Sequence, residues 1–215
     1  MGGRGTLRGY PGLPPKPVAG RVLPTAGEGI LTRIIAGFAG SLRLIVPGKN
    51  TRPTSDRVRE AVFSALDARD LVQHATVLDL YAGSGALGLE AASRGAASVT
   101  LVDLAIRTAA ANARSVVARM PAGSPLRVVT AASGVAEFLA STTGSWNLVF
   151  LDPPYELGPE ELGATLTALP PRLDSDATVL LERAARDPAP TWPVGLRLNR
   201  TTRYGDTVVY WLEPD

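Results

Sequence analysis

The sequence predicts an α/β protein: a mostly parallel sheet with helices on both faces. Three observations carry that expectation. Apolar runs of strand length alternate with helix-forming segments between residues 76 and 182. The first run opens into a glycine-rich loop and then a helix-forming stretch. A later run ends in Asp152-Pro153-Pro154-Tyr155, a stiff loop at a strand's carboxyl end, where open α/β sheets bind ligands.

The elements follow in order. Residues 1–30 hold eight Gly and five Pro without amphipathic period, which predicts a disordered or polyproline-like tail. Residues 31–70 form a basic extension. A β-hairpin pairs Arg33–Ala36 with Ser41–Val46 through Gly37-Phe38-Ala39-Gly40, and a helix runs from about Ser55 to Ala68. On that helix Val58, Ala61, Val62, Ala65 and Leu66 make the apolar face, leaving Arg57 and Arg59 on the polar side. Residues 71–215 form the main domain. Its strands are Thr76–Tyr81, Ser98–Val102, Leu126–Thr130, Asn147–Leu151 and Thr178–Glu182. The helices between them cover Leu89–Arg94, Ala105–Arg119, Gly134–Ser141 and Pro159–Leu169. Leu196–Arg203 and Thr207–Leu212, joined at Tyr204-Gly205-Asp206, read as an antiparallel pair closing the sheet.

Gly83, Gly85 and Gly88 match G-x-G-x-x-G, and Asp103 lies twenty residues after Gly83. Such a loop brings backbone close to a ligand and aims helix N–H groups at it, while the later acid suits ribose hydroxyls. A dinucleotide-binding oxidoreductase fits this much. Asp79 argues against it, because a carboxylate inside the preceding strand repels a pyrophosphate and attracts an amino group and a sulfonium. S-adenosylmethionine (SAM) carries both.

The Asp-Pro-Pro-Tyr loop suits a flat base bearing an exocyclic amine. Asp152 and the Pro153 carbonyl can accept the amine's hydrogens, Pro154 stiffens the loop, and Tyr155 can stack on the ring. The same residues also make an ordinary strand-ending turn. His74, the only histidine, reads as structural or surface, and Trp146, Trp192 and Trp211 read as packing residues.

Taken together, Thr32–Gly37, the block Arg52-Pro53-Thr54-Ser55-Asp56-Arg57-Val58-Arg59-Glu60, the run DLYAGSGALGLEAASRGA from Asp79, and LDPPY from Leu151 resemble the bacterial ribosomal small-subunit RNA methyltransferase D family. The glycine loop and DPPY are shared widely among class I SAM-dependent methyltransferases; the R-P-T block is the specific signal. The resemblance implies a Rossmann-like, seven-stranded sheet. It also implies methyl transfer from SAM to guanine N2 in 16S rRNA, within the small subunit or an assembly intermediate, without a metal. The cofactor candidates are Asp79, Tyr81, Ala82, Gly83, Ser84, Gly85, Asp103 and Leu104; the catalytic candidates are Asp152, Pro153, Pro154 and Tyr155. The RNA candidates are Arg33, Arg43, Lys49, Arg52, Thr54 and Arg57. One departure stands out: Thr130-Ala131-Ala132-Ser133, read as the loop after the third sheet strand, offers no acid or amide for the adenine amine. DNA adenine-N6 and protein glutamine-N5 methyltransferases would share the loop chemistry, though they more often carry Asn at its first position.

Composition narrows the classes further. The 215 residues include no cysteine, which excludes disulfides and thiolate metal sites. No apolar run reaches membrane-spanning length and no signal peptide is evident, so a cytoplasmic protein is expected. The net charge of +2 hides an asymmetry. Residues 31–60 carry six basic and two acidic side chains, whereas residues 61–215 carry twelve and seventeen. A basic front on an acidic body points to a polyanion docking on one side, with Arg200, Arg203 and Tyr204 as the fallback surface.

Overall fold

A computed structural model describes residues 32–46, 56–154 and 156–215. The first-thirty tail, Lys49, Arg52, Thr54 and Tyr155 lie outside the described residues. A two-stranded antiparallel ribbon, β1 (Thr32–Arg33) with β2 (Arg43–Leu44), precedes α1 (Asp56–Asp67). The remaining elements are β3 (Thr76–Leu80), α2 (Ala86–Ser93), β4 (Ser98–Asp103), α3 (Arg107–Val117), β5 (Arg127–Ala132), α4 (Val135–Ser141), β6 (Trp146–Leu151), α5 (Pro159–Ala168), β7 (Leu173–Ala184), β8 (Arg197–Tyr204) and β9 (Thr207–Glu213).

Strands β3 to β9 form one seven-stranded sheet in the order β5-β4-β3-β6-β7-β9-β8. The pairs β3–β4, β4–β5, β3–β6 and β6–β7 are parallel, while β9 runs antiparallel between β7 and β8. The order reverses between β3 and β6, and ligands bind outside strand ends at such a switch. The outermost strand β8 carries a bulge at Asn199, between Leu198 and Arg200.

Parallel strands covered on both faces read as continuous apolar runs, which is why β3, β4, β6 and β7 are visible in the sequence; β5, at the edge, has no buried residue. One register row crosses the sheet as Thr130, Leu101, Asp79, Phe150, Leu180, Trp211 and Arg200. From that row Leu101, Phe150, Leu180 and Trp211 join the core layer under α1, α2 and α3, which Phe63, Leu89 and Val116 complete. The opposite face packs Leu78, Leu80, Val149 and Leu181 against Val135 and Leu139 of α4 and Leu162 and Leu166 of α5. Phe63 meets Phe150 at 5.6 Å between ring centroids, and burying such a ring contributes about 1.5–3 kcal/mol.

The hairpin's ladder is shorter than the sequence predicts because, beyond the bonds between Ile34 and Ser41–Leu42 that close the turn, the N–H groups of Ile35 and Ala36 go to α2. Ile35 and Ala36 donate their N–H groups to the buried Glu90 carboxylate at 2.7 and 3.0 Å. Phe38 N–H reaches the Ser93 carbonyl at 3.0 Å, and Ser93 Oγ accepts from Ala39 N at 2.9 Å while donating to Ala36 O at 2.6 Å. Gly37 sits so close to α2 that a Cβ there would fall 1.8 Å from the Ser93 oxygen, and its φ is +79°.

The polar side assigned to α1 is corrected. Arg59 is fully buried, and the covered face is Val58, Arg59, Val62, Phe63 and Leu66. The Arg59 guanidinium donates to Thr32 Oγ1 at 2.9 Å, to Asp56 Oδ1 at 3.0 Å and to the Arg33 carbonyl, and its Nε lies 3.9 Å from Glu90. The desolvation of burial lowers its pKa, against the pull of Asp56 and Glu90. It clamps the hairpin to α2. Arg57 stays exposed.

Candidate active site

The site is built at the carboxyl ends of three adjacent strands, β4, β3 and β6. β3 ends at Leu80, and Tyr81 turns the chain with φ +61°, a left-handed conformation that strains any residue with a Cβ. The Tyr81 hydroxyl does not face the loop: it pairs with Thr165 Oγ1 of α5 at 3.0 Å, bracing the kink from the other face. Ala82 N–H bonds the Val102 carbonyl at 3.0 Å, and Gly85, at φ +78°, caps α2.

Two carboxylates hold this loop. Asp103 Oδ2 accepts from Gly83 N at 2.9 Å, and its Oδ1 accepts from Ala105 N at 2.7 Å. Asp79 Oδ2 accepts from Gly88 N at 2.8 Å. Gly88 is required by space: a Cβ would lie 2.5 Å from Leu101 Cδ2 and 3.0 Å from the Asp79 oxygen. Burial pushes the Asp79 carboxyl up to about 7; the Gly88 N–H opposes the rise, and the nearby charges of Asp152 and Asp103 add to it. Three acids therefore converge around one glycine loop.

β6 lies beside β3 with Leu80 opposite Leu151, so Asp152 emerges next to Tyr81. Asp152 is half-buried, Pro153 is buried and Pro154 is exposed. The Pro154 carbonyl accepts from Leu157 N at 3.0 Å, which closes the turn before α5. Leu104, beside Asp103, is 81% exposed, and a Cβ on Gly134 would lie 4.0 Å from its Cδ2. Leu104 and Gly134 thus flank an open apolar edge. The loop after β5 starts later than the sequence suggests: β5 extends to Ala132, and the turn is Ser133-Gly134. Ser133 Oγ donates to Glu137 Oε2 at 3.1 Å.

Of the sequence candidates, Asp79, Tyr81, Ala82, Gly83, Ser84, Gly85, Asp103, Leu104, Asp152, Pro153 and Pro154 come together here. Arg33 and Arg43 lie elsewhere, directly opposite each other on the ribbon and exposed, with Arg33 Nε 3.9 Å from Asp56. His74 sits exposed at the amino end of β3, away from this edge. Sequence reasoning missed Glu90 and Asn112, whose partners are distant in the chain. Among the described residues no group of side chains is arranged to hold a metal ion, and no helix is long and apolar enough to cross a membrane.

Comparison with known proteins agrees with this geometry. The family model described as Conserved hypothetical protein 95 matches residues 32–213. The Escherichia coli (strain K12) protein named ribosomal RNA small subunit methyltransferase D is 38% identical over 169 residues, 78% of this chain and 82% of that protein. The putative rRNA methyltransferase YlbH of Bacillus subtilis (strain 168) is 32% identical over 187 residues, 82% of this chain and 96% of that protein. A solved structure of the putative methyltransferase yhhF from Escherichia coli superposes with a TM-score of 0.71 at 34% identity, covering 86% of this chain and 98% of that one. With its switch point, its glycine loop and its Asp-Pro-Pro turn, the chain belongs to the ribosomal RNA small subunit methyltransferase D family of class I methyltransferases.

Proposed function

We propose that this chain transfers a methyl group from SAM to the exocyclic N2 of a guanine in 16S rRNA, presented by a small ribosomal subunit or an assembly intermediate. The observation that carries the reading is the convergence of Asp79, Asp103 and Asp152 around the glycine loop. A cationic ligand relieves that clustering, whereas a pyrophosphate would aggravate it. The curated relatives are named as rRNA methyltransferases, which supports RNA as the substrate.

The residues present fit SAM. Asp103 spends one acceptor site of each oxygen on backbone N–H groups, and a carboxylate has further sites for ribose hydroxyls. Tyr81, Ala82, Gly83, Ser84 and Gly85 give the close backbone approach, Asp79 supplies negative charge beneath it, and Leu104 offers an apolar surface at the edge. When bound, SAM supplies an electrophilic methyl carbon on a sulfonium. Asp152 and the Pro153 carbonyl accept hydrogen bonds from the guanine amine, turning its delocalised lone pair toward attack and offsetting the positive charge that develops on nitrogen. Pro154 holds that turn rigid, and Tyr155 stacks on the base. Alignment of the two reactants supplies much of the rate.

Residues 31–70 dock the RNA, and residues 71–215 carry the chemistry. Arg33 and Arg43 are paired across the ribbon and exposed; Asp56 offsets part of the Arg33 charge, and a phosphate can neutralise the rest. Lys49, Arg52, Thr54 and Arg57, close by in the sequence, are assigned to RNA binding as well. The test is mass spectrometry of rRNA nucleosides after incubating unmodified small subunits with the enzyme and SAM. N2-methylguanosine is expected; a methylated adenosine, or no modified nucleoside, overturns the reading.

A further inference from the structure

Asn112, in α3, is 2% exposed and takes no part in the site as assigned above. Its amide is fully used. Nδ2 donates to the Ile45 carbonyl and to the Ser84 carbonyl, each at 2.8 Å, and Oδ1 accepts from Ile45 N at 2.9 Å. The opposite amide orientation would set Oδ1 against two carbonyl oxygens, so only this one satisfies every group. Ile45 follows β2 and precedes the stretch carrying Lys49 and Arg52. Ser84 lies between the two glycines that open the cofactor loop. Because the peptide unit is planar, fixing the Ser84 carbonyl also fixes the Gly85 N–H, which bonds Ala82 O at 2.6 Å. One buried side chain therefore spans the basic extension and the glycine loop.

We propose that Asn112 is a positioning residue: it touches neither ligand, and it sets the glycine loop in register with the RNA-docking extension. The proposal rests on the reading that the loop holds SAM and the extension holds RNA. Its consequence is that a change at Ile45, outside the loop, alters SAM affinity through Asn112.

The test compares Asn112→Ala and Ile45→Pro with Ser93→Ala. Ser93→Ala loosens the hairpin from α2 and leaves the Ser84 bond alone. Ile45→Pro removes the N–H that Oδ1 accepts, at a residue that is 58% exposed; it also fixes φ there and confines Leu44 to the extended backbone it already holds in β2. SAM affinity of the free protein is measured by calorimetry, melting temperature by circular dichroism, and KM against kcat with small subunits. Asn112→Ala is expected to raise the SAM Kd about 3- to 10-fold, the loss of one such hydrogen bond. Ile45→Pro is expected to raise it about 2- to 5-fold, part of the same loss. Both should raise KM for small subunits, while Ser93→Ala lowers the melting temperature at unchanged SAM Kd. If Asn112→Ala binds SAM as Ser93→Ala does, Asn112 only packs and the proposal is wrong. Should Asn112→Ala not fold, Ile45→Pro decides alone, and wild-type SAM affinity there overturns the idea. Failure of the wild-type protein to bind SAM would instead sink the assigned cofactor, a separately visible result.

Discussion

Replacing Arg59 with Ala should unfold the protein at a markedly lower temperature without touching the chemistry. The side chain is fully buried, and three donated hydrogen bonds vanish with it, to Thr32 Oγ1, Arg33 O and Asp56 Oδ1. Breaking a buried ion pair costs about 3–5 kcal/mol, chiefly through the partner left behind. Here the partners soften the loss. Asp56 is 44% exposed and rehydrates, and Glu90 keeps Ile35 N–H, Ala36 N–H and Arg94 Nε. The expected cost is therefore near the low end, about 3 kcal/mol. For a domain of this size that lowers the melting temperature by roughly 6–12 °C. Arg59→Lys should fall between wild type and Ala, since one ammonium cannot reach three acceptors in the guanidinium's geometry. Thermal melts by circular dichroism, with SAM affinity and kcat measured well below the transition, make the assay. A melting temperature within 1–2 °C of wild type, a window of about 0.5 kcal/mol, would refute the clamp and return Arg59 to the polar side of α1.

Four further outcomes are expected. Asp152→Ala should cut turnover about 10²–10³-fold while SAM affinity by calorimetry barely changes; equal loss of both would assign the loop to the wrong ligand. Asp103→Ala should weaken SAM by roughly 1–3 kcal/mol, because the Gly83 N–H loses its acceptor along with the ribose contact. Asp79 titrates near 3.8 when unfolded and near 7 in the fold, so the folded chain binds the extra proton between those values. Its contribution makes stability fall as pH rises from about 4 to about 7, by at most roughly 1.4 kcal/mol per pH unit, and flatten above; Asp79→Asn should abolish that slope in denaturation curves and, by removing the negative charge, weaken SAM at pH 8. Replacing Arg33, Arg43 and Lys49 together should raise KM for small subunits at unchanged SAM affinity. The same variant should flatten the salt dependence of binding by about 0.7–0.9 of log-slope for each phosphate no longer neutralised.

The sheet was legible because its buried strands are unbroken apolar runs and its binding loops are punctuated by Gly and Pro. The glycine loop, Asp103 and Asp152 were legible because fixed spacings place them at neighbouring strand ends. What sequence could not show was which charges turn inward. Arg59 and Glu90 lie thirty-one residues apart and each reads as an ordinary solvent-facing helix charge; only the docking of the hairpin on α2 makes both interior. The same docking shortened the ribbon, since Glu90 competes with a partner strand for the Ile35 and Ala36 N–H groups. Asn112 gave no signal at all, because a lone amide in a helix has no pattern to recognise. The late end of β5 was missed because Ala131 and Ala132 have little strand preference, so the apolar β-branched run ends at Thr130 although the strand does not.

The bulged outer strand β8 has a bearing on how the molecule survives crowding. An eight-residue edge offers open N–H and C=O groups to any extended chain, including another copy of itself. Arg197, Arg200 and Arg203 stand along it, Arg197 tethered to Glu213 at 2.7 Å and Arg200 stacked 5.7 Å above the Trp211 ring. Two such strands brought together would set cation against cation, and the kink at Asn199 spoils the straight ladder that fibrils need. Charge along this strand therefore guards an open side of the sheet, whatever else these arginines touch. Exchanging them for threonine or valine would leave the fold intact and turn that side adhesive.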